Sequence, residues 1–136
     1  MKRTSSAHWE GSGKEGKGTI STTSGVLKEV SYTWSTRFEK AIGTSPEELI
    51  AAAHAACFSM KLSFVLNAAG FTPASIDTQC TVTIESGSIT TSALEVVANV
   101  PGMDADAFAK CAEEAKLNCP VSQALKPEIT LIAKLV

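Results

Sequence analysis

Two cysteines in this chain stand where a thiol can do chemistry. Cys57 lies in a mostly apolar run from Leu49 to Met60, and Cys119 directly precedes Pro120, where one predicted helix ends and a new turn can begin. Amide groups at a helix start stabilise a thiolate and lower the pKa of a thiol. The two residues are therefore candidates for a redox pair. No local motif such as Cys-x-x-Cys joins them, so the pattern alone does not bring them together.

The other possible ligands and thiols are less distinctive. His54 precedes Cys57 by three positions and shares its helix face, so His54, Cys57 and Cys119 could form a metal-binding module. Zinc sites usually take four ligands, and we predict no metal, with His54 packed and hydrogen-bonded locally. Cys80 and Cys111 fall on the apolar faces of a predicted strand and helix, and we interpret both as small buried hydrophobic residues.

Two charged residues are candidate partners of the thiols. Glu47 lies ten positions before Cys57 on the same predicted helix, about 15 Å along its axis, so it cannot contact its own Cys57. It is either a favourable charge in the first helical turn or a group that reaches Cys57 of a second copy across a two-fold axis. Arg37 falls opposite the aromatic face of a predicted strand from Tyr32 to Glu39, which fits the second arrangement.

The composition restricts the class of protein. The chain has 136 residues, 44% of them hydrophobic and 19% charged, which indicates a single globular domain over residues 1–136. A net charge of -2 argues against nucleic acid or an anionic membrane as a partner. The N-terminus resembles no secretory signal, and the run from Leu49 to Met60 is about half the length of a membrane span. We therefore predict a cytoplasmic protein.

The patterns predict an α+β fold with antiparallel pairing. Ser45 as N-cap, Pro46 at the first position and Glu48 completing a capping box begin a buried helix that runs to Ala69 and stops at Gly70. The other predicted elements, in chain order, are short strands before residue 40, a strand from Ser75 to Glu85, a strand from Ile89 to Val100 with a bulge between Ile89 and Leu94, a helix from Asp104 to Asn118 and a strand from Ile129 to Val136.

Several of these segments, in this order, resemble the OsmC/Ohr family of osmotically inducible and organic hydroperoxide resistance proteins, and the OsmC branch more closely. The resemblance covers essentially the whole chain. The motifs that carry it are Ala7-His8-Trp9-Glu10-Gly11, Thr36-Arg37-Phe38-Glu39, Pro46-Glu47-Glu48-Leu49, Ala55-Ala56-Cys57-Phe58-Ser59-Met60, Gly70-Phe71-Thr72-Pro73 and Cys119-Pro120-Val121-Ser122.

The resemblance implies a peroxiredoxin-like reductase of organic hydroperoxides. Cys57 would be the peroxidatic thiolate and Cys119 the resolving thiol. Arg37 would hold the thiolate and polarise the peroxide, and Glu47 would orient Arg37 through an ion pair. The family also implies an intertwined homodimer, with antiparallel sheets wrapped around central helices and active sites shared between the chains.

No bound cofactor is implied, but turnover requires an external dithiol, for which the family suggests lipoyl-bearing proteins. An apolar wall of Leu49, Ile50, Phe58 and Met60 would favour an organic peroxide over hydrogen peroxide. The alternative is a non-enzymatic redox switch or a structural stress-response protein.

Overall fold

The computed structural model describes all residues, 1–136, and contains six strands and four helices. This confirms the predicted α+β class. The elements are β1 (Ser5–Glu10), β2 (Lys17–Thr22), β3 (Val30–Thr33), α1 (Trp34–Phe38), α2 (Pro46–Ala68), β4 (Ser75–Glu85), β5 (Ser88–Asn99), α3 (Ala105–Asn118), α4 (Pro120–Ala124) and β6 (Glu128–Leu135).

The chain forms two compact units, Met1–Leu49 and Ile50–Val136, whose boundary falls inside α2. Each unit has one three-stranded sheet. The single domain over residues 1–136 stays a prediction.

The sheet of the first unit is antiparallel, in the order β1-β2-β3. Trp9 of β1 packs on Tyr32 of β3, with ring centroids 5.3 Å apart. Gly18 of β2 pairs with both residues. A Cβ at position 18 would lie 2.5 Å from the Tyr32 ring and 2.7 Å from the Trp9 ring, so the aromatic pair depends on a glycine between its members.

The predicted strand from Tyr32 to Glu39 is wrong beyond Thr33, where the chain turns into the short helix α1. Thr33 and Thr36 form a capping box: the Thr36 amide donates to the Thr33 hydroxyl oxygen, and the Thr33 amide donates to the Thr36 hydroxyl oxygen. These local bonds outweigh the strand-like alternation of the sequence. Trp34 and Phe38 still pack together, with centroids 5.3 Å apart, because four residues make one helical turn.

Helix α2 begins and ends close to the predicted positions. The Ser45 hydroxyl accepts the Glu48 amide at 3.1 Å, as an N-cap should. The Glu48 carboxylate accepts the Thr44 hydroxyl at 2.9 Å. At the other end Gly70 has φ 89°, and the Phe71 amide donates to the Leu66 carbonyl. This left-handed residue with its six-to-one bond is a Schellman motif, which ends the helix.

One face of α2 is covered by its own chain and another is not. Phe58, Leu62 and Leu66 are fully buried, whereas Met60 and Phe64 are each 65% exposed. The helix is long and apolar enough to cross a membrane by length and composition alone, a test that the core helix of a soluble protein also passes. In the single chain, a face of α2 that carries large apolar side chains therefore remains uncovered.

The sheet of the second unit has the order β4-β5-β6. Strands β4 and β5 form the predicted hairpin, and the predicted bulge is confirmed: Ile84 pairs with Ile89 but Thr83 pairs with Thr91, so Thr90 is the extra residue. The expectation of antiparallel pairing throughout is wrong for β6, which runs parallel to β5. The reason is topological, since α3 and α4 carry the chain back before β6 begins.

The core of the second unit joins α2, α3 and the inner face of β5. Helix α3 starts at its N-cap Asp104, whose side chain accepts the Ala107 amide, and it turns its apolar face inward as predicted. The buried members of this core include Phe58, Leu62, Leu66, Leu94, Val96, Phe108, Cys111, Ala112, Ala115 and Cys119. Cys119 thus belongs to the core and to the junction between α3 and α4.

Candidate active site

The thiols of Cys57 and Cys119 lie within hydrogen-bonding reach of one another in the second unit. Cys57 stands in the middle of α2 and is partly buried, whereas Cys119 is fully buried at the N-cap position of α4. All four cysteines are free thiols. The fold thus brings together two sulfur atoms that the sequence places far apart.

The surroundings of the two thiols favour different protonation states. Burial raises the pKa of Cys57, and the neighbouring Cys119 raises it further. Burial opposes ionisation of Cys119 as well, but the Ser122 amide, the Cys57 thiol, the Ser122 hydroxyl and the Val121 amide together hold its pKa below the usual range. Within one chain, a negative charge shared by this pair therefore rests on Cys119.

A cavity of about 230 Å³ opens beside Cys57, lined by Cys57, Met60, Lys61, Phe64, Asn118 and Pro120. Of the predicted apolar wall only Met60 lines it. Phe58 lies in the core because it follows Cys57 by one position and so points about 100° away around the helix. Met60 and Phe64 supply the apolar surface instead, and an organic group could rest there while its polar end faces the thiol.

Arg37 and Glu47 form an ion pair in the first unit. Arg37 Nε donates to Glu47 Oε2 at 3.2 Å, and Nη2 donates to Oε1 at 2.5 Å. These hydrogen bonds lower the pKa of Glu47 and raise that of Arg37. Arg37 stands on α1 and Glu47 in the first turn of α2, so the short helix that the sequence failed to predict places the guanidinium.

Aromatic side chains surround this guanidinium. Its carbon lies 5.0 Å from the centroid of the Phe38 ring. Arg37 also lines a cavity of about 260 Å³ together with Trp9, Gly13, Tyr32, Thr33 and Trp34. A planar cation in contact with aromatic rings loses little by being partly shielded from water.

Sequence reasoning missed a buried polar chain behind the thiols. His54 is fully buried, and its Nδ1 and Nε2 lie 2.7 Å and 2.8 Å from the hydroxyls of Ser92 and Ser122. The Ser92 hydroxyl also lies 3.3 Å from the sulfur of Cys80. Cys80 is therefore part of a polar network as well as of the core. Ser92 was the detectable signal, since it is a polar residue at an inward position of β5.

The metal-binding interpretation of His54 meets a geometric obstacle. Both of its ring nitrogens are already paired with serine hydroxyls. No group of three or more His, Cys, Asp or Glu side chains is arranged to hold a metal ion.

Comparison with known proteins places this geometry among related chains. The OsmC family, described as OsmC-like protein, matches residues 38–134. The peroxiredoxin OsmC of Escherichia coli strain K12 is 57% identical over 129 residues, covering 92% of this chain and 90% of that protein.

Two solved structures share the fold. An OsmC-like protein from Mycoplasma pneumoniae superposes with a TM-score of 0.78 at 14% identity, covering 100% of this chain and 98% of that chain. An organic hydroperoxide resistance protein from Elizabethkingia anophelis, with thiocyanate bound, has a TM-score of 0.69 at 26% identity, covering 97% and 94%. The predicted OsmC-like fold is therefore confirmed.

Proposed function

This chain belongs to the OsmC family, and we propose that it is a peroxidase that reduces organic hydroperoxides to alcohols through Cys57 and Cys119. One observation carries the proposal: the two thiols meet beside an apolar cavity that opens on Cys57. The likeness to a peroxiredoxin at 57% identity supports peroxide chemistry, and the cavity supports the organic substrate.

The reaction has two steps in the protein. The Cys57 thiolate attacks the terminal peroxide oxygen, the O–O bond breaks, and the alkoxide leaves and takes up a proton to become the alcohol. Cys57 is then a sulfenic acid. Cys119 attacks its sulfur, the S–O bond breaks, hydroxide leaves as water with the proton of Cys119, and a Cys57–Cys119 disulfide remains.

The first step needs a positive charge that Cys57 does not find in its own surroundings, since burial and Cys119 both raise its pKa. Arg37 is the candidate, because a guanidinium stabilises a thiolate and a departing alkoxide. We place it in a homodimer, in which the Arg37–Glu47 pair of one chain reaches Cys57 of the other. The exposed Met60 and Phe64 support such a dimer, since a second copy would cover them.

The substrate and the reductant follow from the same site. Hydrogen peroxide has no apolar part to place against Met60 and Phe64, so an organic hydroperoxide gains binding energy there that hydrogen peroxide lacks. The disulfide must be reopened by a dithiol from outside the chain, for which a lipoyl group is our candidate. The reaction needs no bound cofactor, and the cytoplasm is the compartment that we propose.

The decisive experiment compares consumption of cumene hydroperoxide by wild-type, Cys57→Ser and Cys119→Ser protein with dihydrolipoamide as reductant. Cys111→Ala is the matched control, since Cys111 is a buried thiol on α3. We expect Cys57→Ser to be inactive and Cys111→Ala to be active. Consumption by Cys57→Ser at the wild-type rate would remove the proposal.

Intact mass after one equivalent of peroxide separates the steps. Wild-type protein should lose two hydrogens, whereas Cys119→Ser should gain oxygen on Cys57. A disulfide that forms without sustained turnover by any dithiol would favour the redox switch over the enzyme.

A further inference from the structure

A continuous chain of buried polar groups leads from Cys80 to Cys119. Cys80 contacts Ser92, Ser92 contacts His54, and His54 contacts Ser122, at 3.3, 2.7 and 2.8 Å. Ser122 is three positions after Cys119. The two therefore occupy the N-cap and N3 positions of α4, whose groups approach one another at a helix start. Three elements, β5, α2 and α4, each contribute one member, so the chain depends on the fold as a whole.

This chain is costly to bury unless every member has a partner. His54 and Ser92 are fully buried and Ser122 is 6% exposed. Burial lowers the pKa of His54, so its ring is neutral, with one nitrogen that donates and one that accepts. Both nitrogens face hydroxyls, which can play either role. The imidazole therefore decides in which direction each hydroxyl hydrogen points.

We propose that His54 is a positioning residue for Cys119: it orients the Ser122 hydroxyl so that its hydrogen faces the Cys119 sulfur while the disulfide with Cys57 closes. This inference rests on the proposed function and deepens it, because it names the groups that prepare the second thiol. His54 and Ser122 touch neither the peroxide nor Cys57 in this scheme. They act through the sulfur of Cys119.

The orientation follows from counting donors. If His54 Nε2 donates to the Ser122 oxygen, the Ser122 hydrogen is left to face Cys119. His54 Nδ1 then accepts the hydrogen of Ser92, whose oxygen can accept the Cys80 thiol. Every hydrogen in the chain has an acceptor, and the last one faces the group that must carry negative charge.

The step that gains from this orientation is closure of the disulfide. Cys119 gives up its proton, its sulfur forms a bond to the sulfur of Cys57, and the S–O bond of the sulfenic acid breaks. The electron pair of that bond leaves with hydroxide, which takes up the proton and becomes water. A hydroxyl hydrogen facing the sulfur stabilises the thiolate that attacks, because hydrogen bonds to charged groups are the stronger ones.

The titratable groups near His54 are thiols from three elements. Cys80 belongs to β4, Cys57 to the next turn of α2, and Cys119 to the start of α4. A pH dependence of closure could come from any of them, so the test must be assigned to Cys119 by position.

Single-turnover closure provides that test. Ser122→Ala removes the hydroxyl and Ser122→Thr restores it. Ser59→Ala is the matched control, since its hydroxyl also stands on α2 and donates to Thr78 at 2.7 Å, outside the chain. After one equivalent of cumene hydroperoxide, quenched samples are followed by intact mass for the oxygen gained and then for the two hydrogens lost.

We expect Ser122→Ala to close the disulfide about tenfold more slowly at pH 7, with the midpoint of its pH profile raised by about one unit. Oxygen gain at Cys57 should stay within about twofold of wild type, and Ser122→Thr should recover most of the closure rate, as expected of the hydroxyl and not of packing. A Ser122→Ala protein that closes with the wild-type rate and pH profile overturns the proposal.

A second measurement does not depend on peroxide. The rate of alkylation of Cys119 by iodoacetamide in reduced protein, read from its peptide mass as a function of pH, reports the thiolate of that residue alone. Its midpoint should rise by about one unit in Ser122→Ala, and an unchanged midpoint contradicts the role of the hydroxyl. If Cys57→Ser still consumes peroxide while this midpoint moves, the peroxidase proposal fails and the positioning of Cys119 stands.

Discussion

The guanidinium of Arg37 meets both carboxylate oxygens of Glu47, with Nε and Nη2 as donors. A paired fork of this kind fixes the plane of the guanidinium as well as its position. Glu47 therefore holds Arg37 in one orientation within its own chain. If the pair acts on the thiol of a second copy, its two members should differ in importance, because only the arginine would meet the reacting atoms.

Replacing Arg37 by alanine should lower kcat/KM for cumene hydroperoxide about 100-fold, because a group that stabilises developing charge is removed. Arg37→Lys should recover only part of the rate, since an ammonium lacks the planar fork. Arg3→Ala is the matched control, because Arg3 is the other arginine of the chain and is exposed. Size-exclusion chromatography should show the same oligomeric state for all variants. Full activity in Arg37→Ala would exclude the arginine from the mechanism.

Replacing Glu47 by glutamine should reduce the same rate less, about tenfold, because the amide can still accept a hydrogen bond from Arg37 but no longer pairs its charge. Glu48→Gln is the control, since Glu48 lies in the same helical turn and bonds to Thr44 instead. A Glu47 variant slower than Arg37→Ala would show that the carboxylate itself takes part in the reaction.

The same ion pair predicts a loss of stability in acid. Hydrogen bonds from Arg37 hold the pKa of Glu47 below the ordinary value of 4.5. The contribution of Glu47 is therefore complete above pH 4.5 and is lost as the pH falls through its lowered folded pKa. Urea unfolding of wild type and Glu47→Gln between pH 7 and pH 3 should show a smaller acid loss in the variant. Equal losses would mean that the pair adds nothing measurable, as many exposed pairs do.

Buried His54 predicts a second loss, at a higher pH. Burial lowers its pKa from the ordinary 6.5, so below pH 6.5 the unfolded chain binds a proton that the folded chain resists. Stability from the neutral ring is thus complete above pH 6.5 and falls as the pH drops toward the lowered folded pKa. The unfolding midpoint of wild type should decline from pH 7.5 to 5.5 more than that of His54→Gln.

The chain offers a control for that test, because its only other histidine, His8, is exposed. His8→Gln should decline as wild type does. A His54→Gln protein with the same decline as wild type would assign the titration to other groups.

Gly18→Ala should destabilise the first unit by about 1–3 kcal/mol, because an added methyl group overpacks the site. Its Cβ would lie 2.6 Å from the His8 carbonyl oxygen, a backbone atom that cannot turn away. Gly13→Ala is the control, since nothing lies within 4 Å of a Cβ there. Thermal unfolding followed by tryptophan fluorescence should separate the two variants. A Gly18→Ala protein as stable as Gly13→Ala would show that β2 can move away from the aromatic pair.

Local patterns predicted those elements whose signals are local. The caps at Ser45 and Asp104, the stop at Gly70 and the bulge before Leu94 each depend on residues a few positions apart, and each is found in the structure. The turn of the chain into α1 was missed because Tyr32 to Glu39 alternates like a strand while its threonines cap a helix. The direction of β6 was missed because it depends on how α3 returns the chain, which no pattern within the strand records.

The candidate site divides in the same way. Cys57 and Cys119 were recognisable by residue type and setting, but their proximity depends on a contact between segments 62 positions apart (119 minus 57). The hydrogen-bonded chain through His54 was not predicted, because it joins residues 38 and 68 positions apart along the sequence. Nothing near His54 in the sequence distinguishes a relay from an ordinary packed histidine.

The extra residue at Thr90 has a consequence for how this protein can change in length. Before it, Ile89 pairs with Ile84, and after it the inward positions become Ser92, Leu94, Val96 and Ala98. One residue therefore sets which half of the remaining strand looks inward. Deleting it would send Ser92 to the outside and leave the imidazole facing the wrong neighbours. Homologues of this chain should accordingly tolerate insertions in the turn at Ser86 and Gly87 far more readily than a single-residue deletion four positions later.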